Sequence, residues 1–352
     1  MSADASVIAQ PARAPGVRSE GVWHAAWRRY RADRVGMVSL GVVLAFLLLI
    51  VLSATGLVAR NWQSEVGVAY APPTFMGPAP PDAIAAIETP KGPNVDLSAV
   101  DPLAPRYAEW AERAKQFATT ETKKSETLPF GGDRLGRDVL AKAVKGTEIS
   151  VFVGVLAALV ATTLGTLLGS LGGFFGGKPG DLLEWLYNVF ESIPGILLIF
   201  AFAAVFGRGI GTVVLILGFT GWTGLYRQVR AEFIKHRSRE YVRSAEAIGA
   251  SVGSRMFRHI LPNISHVILV RMGLLVVGFI KAEVILSYLG LGVPVDQVSW
   301  GTMLAEAQSE LILGHWWQLT AATVMMCVFV TAFSLMADAW RDALDPKLRG
   351  VE

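Results

Sequence analysis

Cysteine is almost absent from this sequence, and the residue spacings of common metal sites are missing. Cys327 is the only cysteine in 352 residues, so no disulfide can form within the chain and a cysteine-rich metal or redox site is excluded. The five histidines show no H-E-x-x-H or similar spacing. We therefore assign no catalytic and no metal-binding residues, which disfavours an enzyme.

Charged residues are also scarce. Asp, Glu, Lys and Arg make up 17% of the chain, whereas 52% of the residues are hydrophobic and the mean hydropathy is +0.45. A soluble domain is rarely so apolar. The charges are concentrated in a few segments, and the net charge of +3 is too small to indicate nucleic-acid binding. This pattern is typical of an integral membrane protein.

A complete phosphate-binding loop is missing as well. Gly172, Gly177 and Lys178 reproduce most of the G-x-x-x-x-G-K-[S/T] pattern, but Pro179 stands where a magnesium-binding hydroxyl is required. The segment also follows an apolar helix rather than a strand. We interpret it as a glycine-rich turn and expect no cofactor in this chain. If transport uses ATP, a partner subunit must bind and hydrolyse ATP-Mg.

Six apolar segments approach the length that a transmembrane helix needs. About 20 residues are required, because each residue advances about 1.5 Å through a hydrocarbon layer about 30 Å thick. The first segment is too long for the apolar region of a cleaved signal peptide. The sequence therefore predicts an all-α membrane protein with about six transmembrane helices. The predicted spans are residues 36–59, 150–171, 186–206, 210–226, 264–291 and 317–337.

Basic residues in the short loops indicate the orientation. Arg28, Arg29, Arg31 and Arg34 stand directly ahead of the first span against one acid, Asp33, so we expect a cytoplasmic amino terminus. Residues 227–262 hold eight Arg and Lys against three Glu, and counting spans also places them in the cytoplasm, together with the carboxyl terminus. The predicted regions are a cytoplasmic segment (1–35), the first helix (36–59), an extracytoplasmic loop (60–149), a transmembrane core (150–337) with a cytoplasmic loop at 227–263, and a cytoplasmic tail (338–352).

Small residues recur every four positions in the second span. They form a stripe along one face of a helix, where another helix can approach closely. The stripe comprises Ala157, Ala161, Gly165, Gly169 and Gly173. We interpret it as a packing surface.

The cytoplasmic loop after the fourth span has helical periodicity. Its apolar residues, spaced by three or four, predict one amphipathic face. Gly249 interrupts this pattern and predicts a break between two short helices or a close contact with a partner. Pro262 predicts a helix boundary just before the fifth span. The periodicity alone fits both a force-transmitting hairpin and a segment resting on anionic lipid. The apolar residues are Tyr241, Ala245, Ile248, Val252 and Met256.

Residues 240–251, E-Y-V-R-S-A-E-A-I-G-A-S, followed by R-H-I-L-P-N at 258–263, resemble the "EAA" loop of binding-protein-dependent ABC importer permeases. The closer resemblance is to the C-type subunit of the dipeptide/oligopeptide permease family. In that family the loop is the coupling helix, which docks into a groove of the ATPase subunit. Within this loop, Arg243 and Ser244 stand where the family usually has Glu-Ala. The resemblance assigns coupling to five other residues of the loop: Tyr241, Ala245, Gly249, Leu261 and Pro262.

Further motifs extend the resemblance in order from residue 129 to residue 350. P-F-G-G-D-R-L-G-R-D at 129–138 is similar to the family signature before the second span. E-V-I-L-S-Y-L-G-L-G at 283–292, S-W-G at 299–301 and D-P-K-L-R-G at 345–350 resemble later family segments. The signature residues on the outer side are Asp133, Leu135, Gly136, Arg137 and Asp138.

The resemblance implies a type I ABC importer permease fold in the bacterial cytoplasmic (inner) membrane. The implied partners are a homologous permease subunit, two ATPase subunits, an extracytoplasmic substrate-binding protein and membrane lipid, with no nucleic acid. The implied function is import by alternating access, with dipeptides or oligopeptides as substrate. A self-sufficient ion-coupled carrier or channel is the alternative, and a membrane-embedded enzyme is disfavoured.

Arg271, Lys281 and Glu283 fall within the fifth apolar segment. A charge at mid-bilayer costs roughly 2.5 to 3.5 kcal/mol even on the lenient insertion scale, so we expect protein or water around these side chains. Lys281 and Glu283 are two residues apart and should point away from one another on a helix. We predict that Glu283 lies at the subunit interface or pathway and helps to hold the gate. The alternative is an interfacial residue that reaches toward water.

Overall fold

The computed structural model describes residues 22–78, 101–116 and 124–344, and within these ranges the regular structure is helical, with isolated β-bridges but no strand. Our predictions for residues 1–21 and 79–100, and the 345–350 motif, lie outside the described residues. The α-helices are α1 (Val22–Ala32), α2 (Arg34–Ala54), α3 (Tyr107–Gln116), α4 (Val139–Phe175), α5 (Gly177–Glu191), α6 (Gly195–Phe206), α7 (Ile210–Thr220), α8 (Thr223–Arg237), α9 (Glu240–Ala247), α10 (Leu261–Tyr288), α11 (Trp300–Ile312) and α12 (Trp317–Leu344).

Helix α4 lies at the centre of the molecule and contacts α7, α8, α10 and α12. Its small-residue stripe lies against α8, as we predicted for a packing surface. A Cβ atom built on Gly165 would lie 2.9 Å from Trp222 O, and one on Gly173 would lie 2.6 Å from Arg230 O. Ala157 and Ala161 on the same stripe are fully buried. Side chains larger than alanine would therefore separate the two helices.

Three described helices are long and apolar enough to cross a membrane singly: α2, α4 and α12. Helices α5 and α6 pass the same test only as a pair, bent by 84° at a short break. Pro194 stands at this break as the N-cap of α6. Proline has no N–H to continue the hydrogen-bond ladder, so the predicted third span is broken rather than straight.

The remaining predicted spans differ in detail from single straight helices. The fourth is divided between α7 and α8, because α7 ends at Thr220 and α8 begins at Thr223. Helix α10 has 28 residues, the same length as α12, but carries the three charges noted above. Helix α4 begins eleven residues before the predicted second span, since Asp138 caps it by accepting a hydrogen bond from Leu140 N at 2.8 Å. The count of six spans stays a prediction.

Residues 65–73 and 125–138, in the connection between α2 and α4, pack together at the end of the bundle where α4 begins. Isolated bridges join Glu65 to Arg137 and Pro73 to Leu128, so that residues 65–73 lie beside 125–138. Gly136 has φ +76°, and a Cβ atom there would lie 2.0 Å from Gly67 O. Only glycine therefore fits this position of the predicted outer signature.

Candidate functional site

The predicted coupling loop contains a short helix, a tight reversal and a second helical segment. Helix α9 ends in a Schellman motif, in which Ala250 N donates to Ala245 O and Gly249 N donates to Glu246 O, both at 2.9 Å. Gly249 has φ +86°, a conformation that costs other residues energy. The predicted break at Gly249 is therefore present, and glycine is required there by backbone geometry.

A π-helical segment, Ser254–Ile260, follows and runs directly into α10. The helix type changes between Ile260 and Leu261, one residue before Pro262, which lies in the first turn of α10 where its missing N–H is tolerated. Pro262 thus lies where a π-helix changes to an α-helix within one continuous helical segment, not at a break between two helices. Movement of the loop can therefore be passed to α10 without an intervening flexible linker.

Apolar side chains anchor the loop to the membrane helices. Val242, Ala245, Met256 and Ile260 are buried, and all but Ala245 belong to one core cluster with α8 residues such as Phe233. This burial holds the loop in one orientation relative to α8 and α10.

Polar contacts reinforce that anchoring. Arg255 Nη1 lies 2.5 Å from Glu246 Oε1, and its guanidinium lies 5.4 Å from the centre of the Phe174 ring. Arg237 Nη1 donates to Phe174 O at 2.8 Å, and His236 Nδ1 lies 2.7 Å from Tyr241 Oη. Burial lowers the pKa of His236 and raises that of Tyr241. The loop is thus tied to the end of α4 as well as to its own helices.

The prediction of one continuous apolar stripe on this loop was wrong. Ala245 and Met256 face the core, but Tyr241, Ile248 and Val252 are exposed. The reversal at Gly249 turns the chain, so residues before and after it no longer share the face that uninterrupted helical spacing predicts. Ile248, at the end of α9, is 86% exposed. We call Tyr241, Ile248 and Val252 the coupling patch.

The outer signature residues build a buried ionic network at the opposite end of α4. Asp133 accepts hydrogen bonds from Arg137 Nε and Lys142 Nζ, each at 2.7 Å, and from the backbone N–H groups of Leu135 and Arg137. Burial acts to raise the pKa of Asp133, but Lys142 and Arg137 outweigh it and the pKa is lowered. Leu135 is exposed, and Asp138 serves as the cap of α4.

Lys142 extends this network to α11 and α12. Its Nζ also contacts Glu306 Oε2 at 2.6 Å and Gln318 Oε1 at 3.2 Å. Glu310, one turn further along α11, is buried and accepts from Arg134 N at 3.3 Å through one carboxylate oxygen, while Oε2 has no hydrogen-bond partner among the described residues. Burial raises the pKa of Glu310 to about 7, against the opposing effect of Lys142.

Sequence reasoning missed Lys142, Glu306, Glu310 and Gln318. Lys142 and Lys145 precede the apolar run of α4 at a spacing of three, which resembles an ordinary solvated helix face. The only signal was indirect: Lys142 lies one turn after the capping Asp138 and next to the signature motif.

Glu283 lies inside the chain, at the junction of α4, α10 and α11. Ser150 Oγ donates to Glu283 Oε2 at 2.8 Å, and Ser287 Oγ donates to Oε1 at 2.7 Å. Each serine oxygen also accepts from a backbone N–H, that of Trp300 for Ser150 and that of Val293 for Ser287. The side chain is fully buried, so in this conformation it does not reach toward an aqueous interface.

Lys281 is exposed, unlike Glu283, which confirms that the two side chains point apart. The third charge of α10, Arg271, lies against α8, where a Cβ atom on Gly224 would be 2.5 Å from Arg271 Nη2. The gating role of Glu283 stays a prediction.

These features define a helical membrane bundle with an exposed apolar loop at one end and a buried ionic network at the other. The chain belongs to the family described as binding-protein-dependent transport system inner membrane component, which matches residues 161–350. Residues 21–73 also match the N-terminal transmembrane domain of oligopeptide transport permease C. The protein is therefore an inner-membrane permease component.

Characterised permeases are similar over most of their length. The oligopeptide transport system permease protein OppC of Bacillus subtilis is 34% identical over 70% of this chain and 81% of its own. The dipeptide transport system permease protein DppC of the same organism is 36% identical over 62% of this chain and 69% of its own. OppC of Escherichia coli is 38% identical over 62% of this chain and 72% of its own.

Proposed function

We propose that this chain is the C-type permease subunit of an ABC importer for dipeptides or oligopeptides. The names of its relatives support the substrate class. In the proposed complex it pairs with a homologous permease subunit, receives substrate from an extracytoplasmic binding protein and changes access as two ATPase subunits close and open. Six spans are proposed: α2, α4, the bent pair α5/α6, α7 with the start of α8, α10 and α12. Both termini lie in the cytoplasm.

The coupling patch is the observation that supports dependence on an ATPase partner. Ile248 exposes 86% of its surface at the tip of a loop that is otherwise packed and hydrogen-bonded. Exposed apolar side chains on an ordered, rigid element are typical of a surface that a partner covers. Force applied to this patch passes through the π-helical segment into α10, and ATP binding can thereby shift the inward/outward equilibrium.

Replacing Ile248 by Asp tests this role. We expect Ile248→Asp to abolish co-purification of the native ATPase subunits while the variant still inserts in the membrane, because a desolvated carboxylate at the contact is unfavourable. Val295→Asp is the matched control, since Val295 is 87% exposed in the connection before α11, on the predicted outer side. Equal ATPase recovery from both variants would contradict the assignment, and lipid contact would then be the better account of the patch.

Gating is proposed for Glu283. Its hydrogen bonds join α10 to Ser150 of α4, and Trp300 N extends them to α11, so relative movement of these helices must break them. Glu283→Gln should lower peptide uptake at unchanged expression. Unchanged uptake would remove the gating role without affecting the coupling assignment.

The alternative of a self-sufficient ion-coupled carrier makes a different prediction. The purified chain alone, reconstituted in vesicles with an ion gradient, would then accumulate substrate. We expect no accumulation without ATPase subunits and ATP.

A further inference from the structure

An apolar crevice of about 260 Å³ lies between α10 and α12 at the end of the bundle that bears the coupling loop. The two helices pack closely beside it, since a Cβ atom on Gly273 would lie 3.1 Å from Ala337 Cβ. Trp340 and Leu344 line its end toward the carboxyl terminus of α12. The remaining lining residues are Leu269, Val270, Met272, Val276, Phe333 and Met336.

The crevice has the length of one membrane leaflet. It follows α12 from Phe333 to Leu344, and the eleven residue steps between them correspond to roughly 16 Å of helix at about 1.5 Å per residue. Half of a hydrocarbon core about 30 Å thick is about 15 Å. A single acyl chain lying along the helices would therefore remain within one leaflet for its whole length.

An aromatic stack closes the end of the crevice at the membrane surface. Trp340 stacks on Tyr30 of α1 with ring centres 4.7 Å apart, and on Trp27 at 5.9 Å. Tryptophan and tyrosine favour the headgroup level of a bilayer, where one end of the ring is apolar and the other wet. The stack thus places the membrane surface at α1.

The same stack carries positive charge. The Arg31 guanidinium lies 5.2 Å from the centre of the Trp27 ring, and Arg31 and Arg34 are exposed. Residues 22–34 and the last turns of α12 together hold five arginines and three aspartates. One of these aspartates, Asp33, caps α2 by accepting a hydrogen bond from Val35 N. The arginines are Arg28, Arg29, Arg31, Arg34 and Arg341, and the other aspartates are Asp338 and Asp342.

The site is rigid. Tyr30 Oη donates to Gly36 O at 2.8 Å, and a Cβ atom on Gly36 would lie 2.6 Å from Ala339 Cβ, so the junction between α1 and α2 is packed closely on α12. The aromatic rings and the basic residues are therefore held beside the crevice rather than swinging freely on a terminal segment.

We propose that this crevice binds one anionic phospholipid, with an acyl chain between α10 and α12 and the headgroup phosphate near Arg31 and Arg34. The apolar lining accounts for the acyl chain, the Trp27–Tyr30–Trp340 stack for the glycerol level, and the excess of arginine for the preference for negative charge. The lipid fastens α1 to the helix that continues from the coupling loop.

Fluorescence quenching in nanodiscs tests the site with the full-length chain. Brominated phosphatidylglycerol is compared with brominated phosphatidylcholine of the same chains, and the Trp340 signal is taken as the difference between the unmodified chain and Trp340→Phe. We expect phosphatidylglycerol to quench Trp340 at lower mole fractions. Arg31→Gln and Arg34→Gln should each weaken this preference about fivefold, and Arg31→Lys should retain it.

A crevice-filling variant gives an independent measurement. Val270→Phe should reduce quenching by both lipids, whereas Val324→Phe, at an exposed position of α12 outside the crevice, should not. Equal quenching by both lipids with no effect of the arginine variants would overturn the proposal in favour of bulk lipid. No quenching by either lipid would overturn it in favour of a protein helix that covers the crevice.

Discussion

Glu283 is surrounded by hydroxyl donors, and no cation lies against it among the described residues. Both carboxylate oxygens accept from serines whose own oxygens accept from backbone N–H groups, so removing the side chain leaves two serine hydroxyl hydrogens without their acceptor. Such loss in a buried site costs about 1–3 kcal/mol for each unsatisfied group, and a cavity adds to it.

We therefore predict that Glu283→Ala destabilises the purified protein by about 3 kcal/mol or more. The comparison is Lys281→Ala, two residues away on the exposed side of the same helix, which should change stability by no more than about 0.5 kcal/mol. Thermal unfolding in one detergent measures both. Similar melting temperatures for the two variants would show that the serine network contributes little.

Glu310 predicts a pH effect of defined sign. Its folded pKa of about 7 lies above the ordinary glutamate pKa of 4.5, so between these pH values the folded state binds a proton that the unfolded state has released. Its contribution to stability is fully present below pH 4.5 and is lost as pH rises through 7. Glu310→Gln removes this one contribution.

Unfolding of the unmodified chain and of Glu310→Gln should therefore be measured at several pH values between 4.5 and 8. The difference between the two proteins isolates Glu310, because every other ionisable group is present in both. We expect the unmodified chain to lose stability relative to the variant as pH rises. A constant difference across this range would contradict the assigned shift.

At the scale of helices, the sequence predicted packing better than helix ends. The four-residue spacing of small side chains predicted a close helix contact, which α8 makes with α4, because that contact depends on side-chain volume. The breaks in the third and fourth spans were harder to place. The sequence shows Pro194 and Gly221, but how far a helix bends there depends on the neighbouring helices.

The coupling loop illustrates the same limit. Gly249 correctly predicted a break, whereas the exposed surface depended on how the chain turns after it, which periodicity does not contain. The network around Lys142 was missed for a related reason. Residues 306 and 318 are distant in sequence from residues 133 and 142, and they meet them only when α4, α11 and α12 pack together.

The Schellman motif allows a matched pair of glycine substitutions. Gly249→Ala should destabilise the loop by about 1 kcal/mol and weaken ATPase co-purification, because alanine is strained at φ +86° although no atom obstructs its Cβ. Gly253→Ala should be neutral or slightly stabilising, since Gly253 has φ −59° and equally open space. Hydrogen exchange of residues 240–260 measures the stability of the loop in both variants. Equal changes in exchange would show that the left-handed backbone conformation at Gly249 is not the cause.

For the whole molecule, the family and the central bundle agree with the sequence, but the number of spans rests on apolar length, and the orientation rests on charge distribution and span counting. Three single helices and one bent pair satisfy length and apolarity among the described residues, while α10 carries charges and the fourth span is divided. Apolar length alone is insufficient because helices lining a subunit interface or pathway are interrupted and less apolar than lipid-facing ones. Orientation therefore needs a direct measurement.

Cysteine accessibility supplies that measurement, since the chain has a single cysteine to remove. In a Cys327→Ala background, Ser251→Cys should react with a membrane-impermeant maleimide only after cells are opened, because the basic 227–262 segment is retained in the cytoplasm. Ser125→Cys, beside the outer signature, should react in intact cells with a permeable outer membrane. The reverse pattern would invert the molecule and place the coupling patch away from any cytoplasmic ATPase. Labelling of both sites in intact cells would instead indicate an even number of spans between them, against the three that we predict.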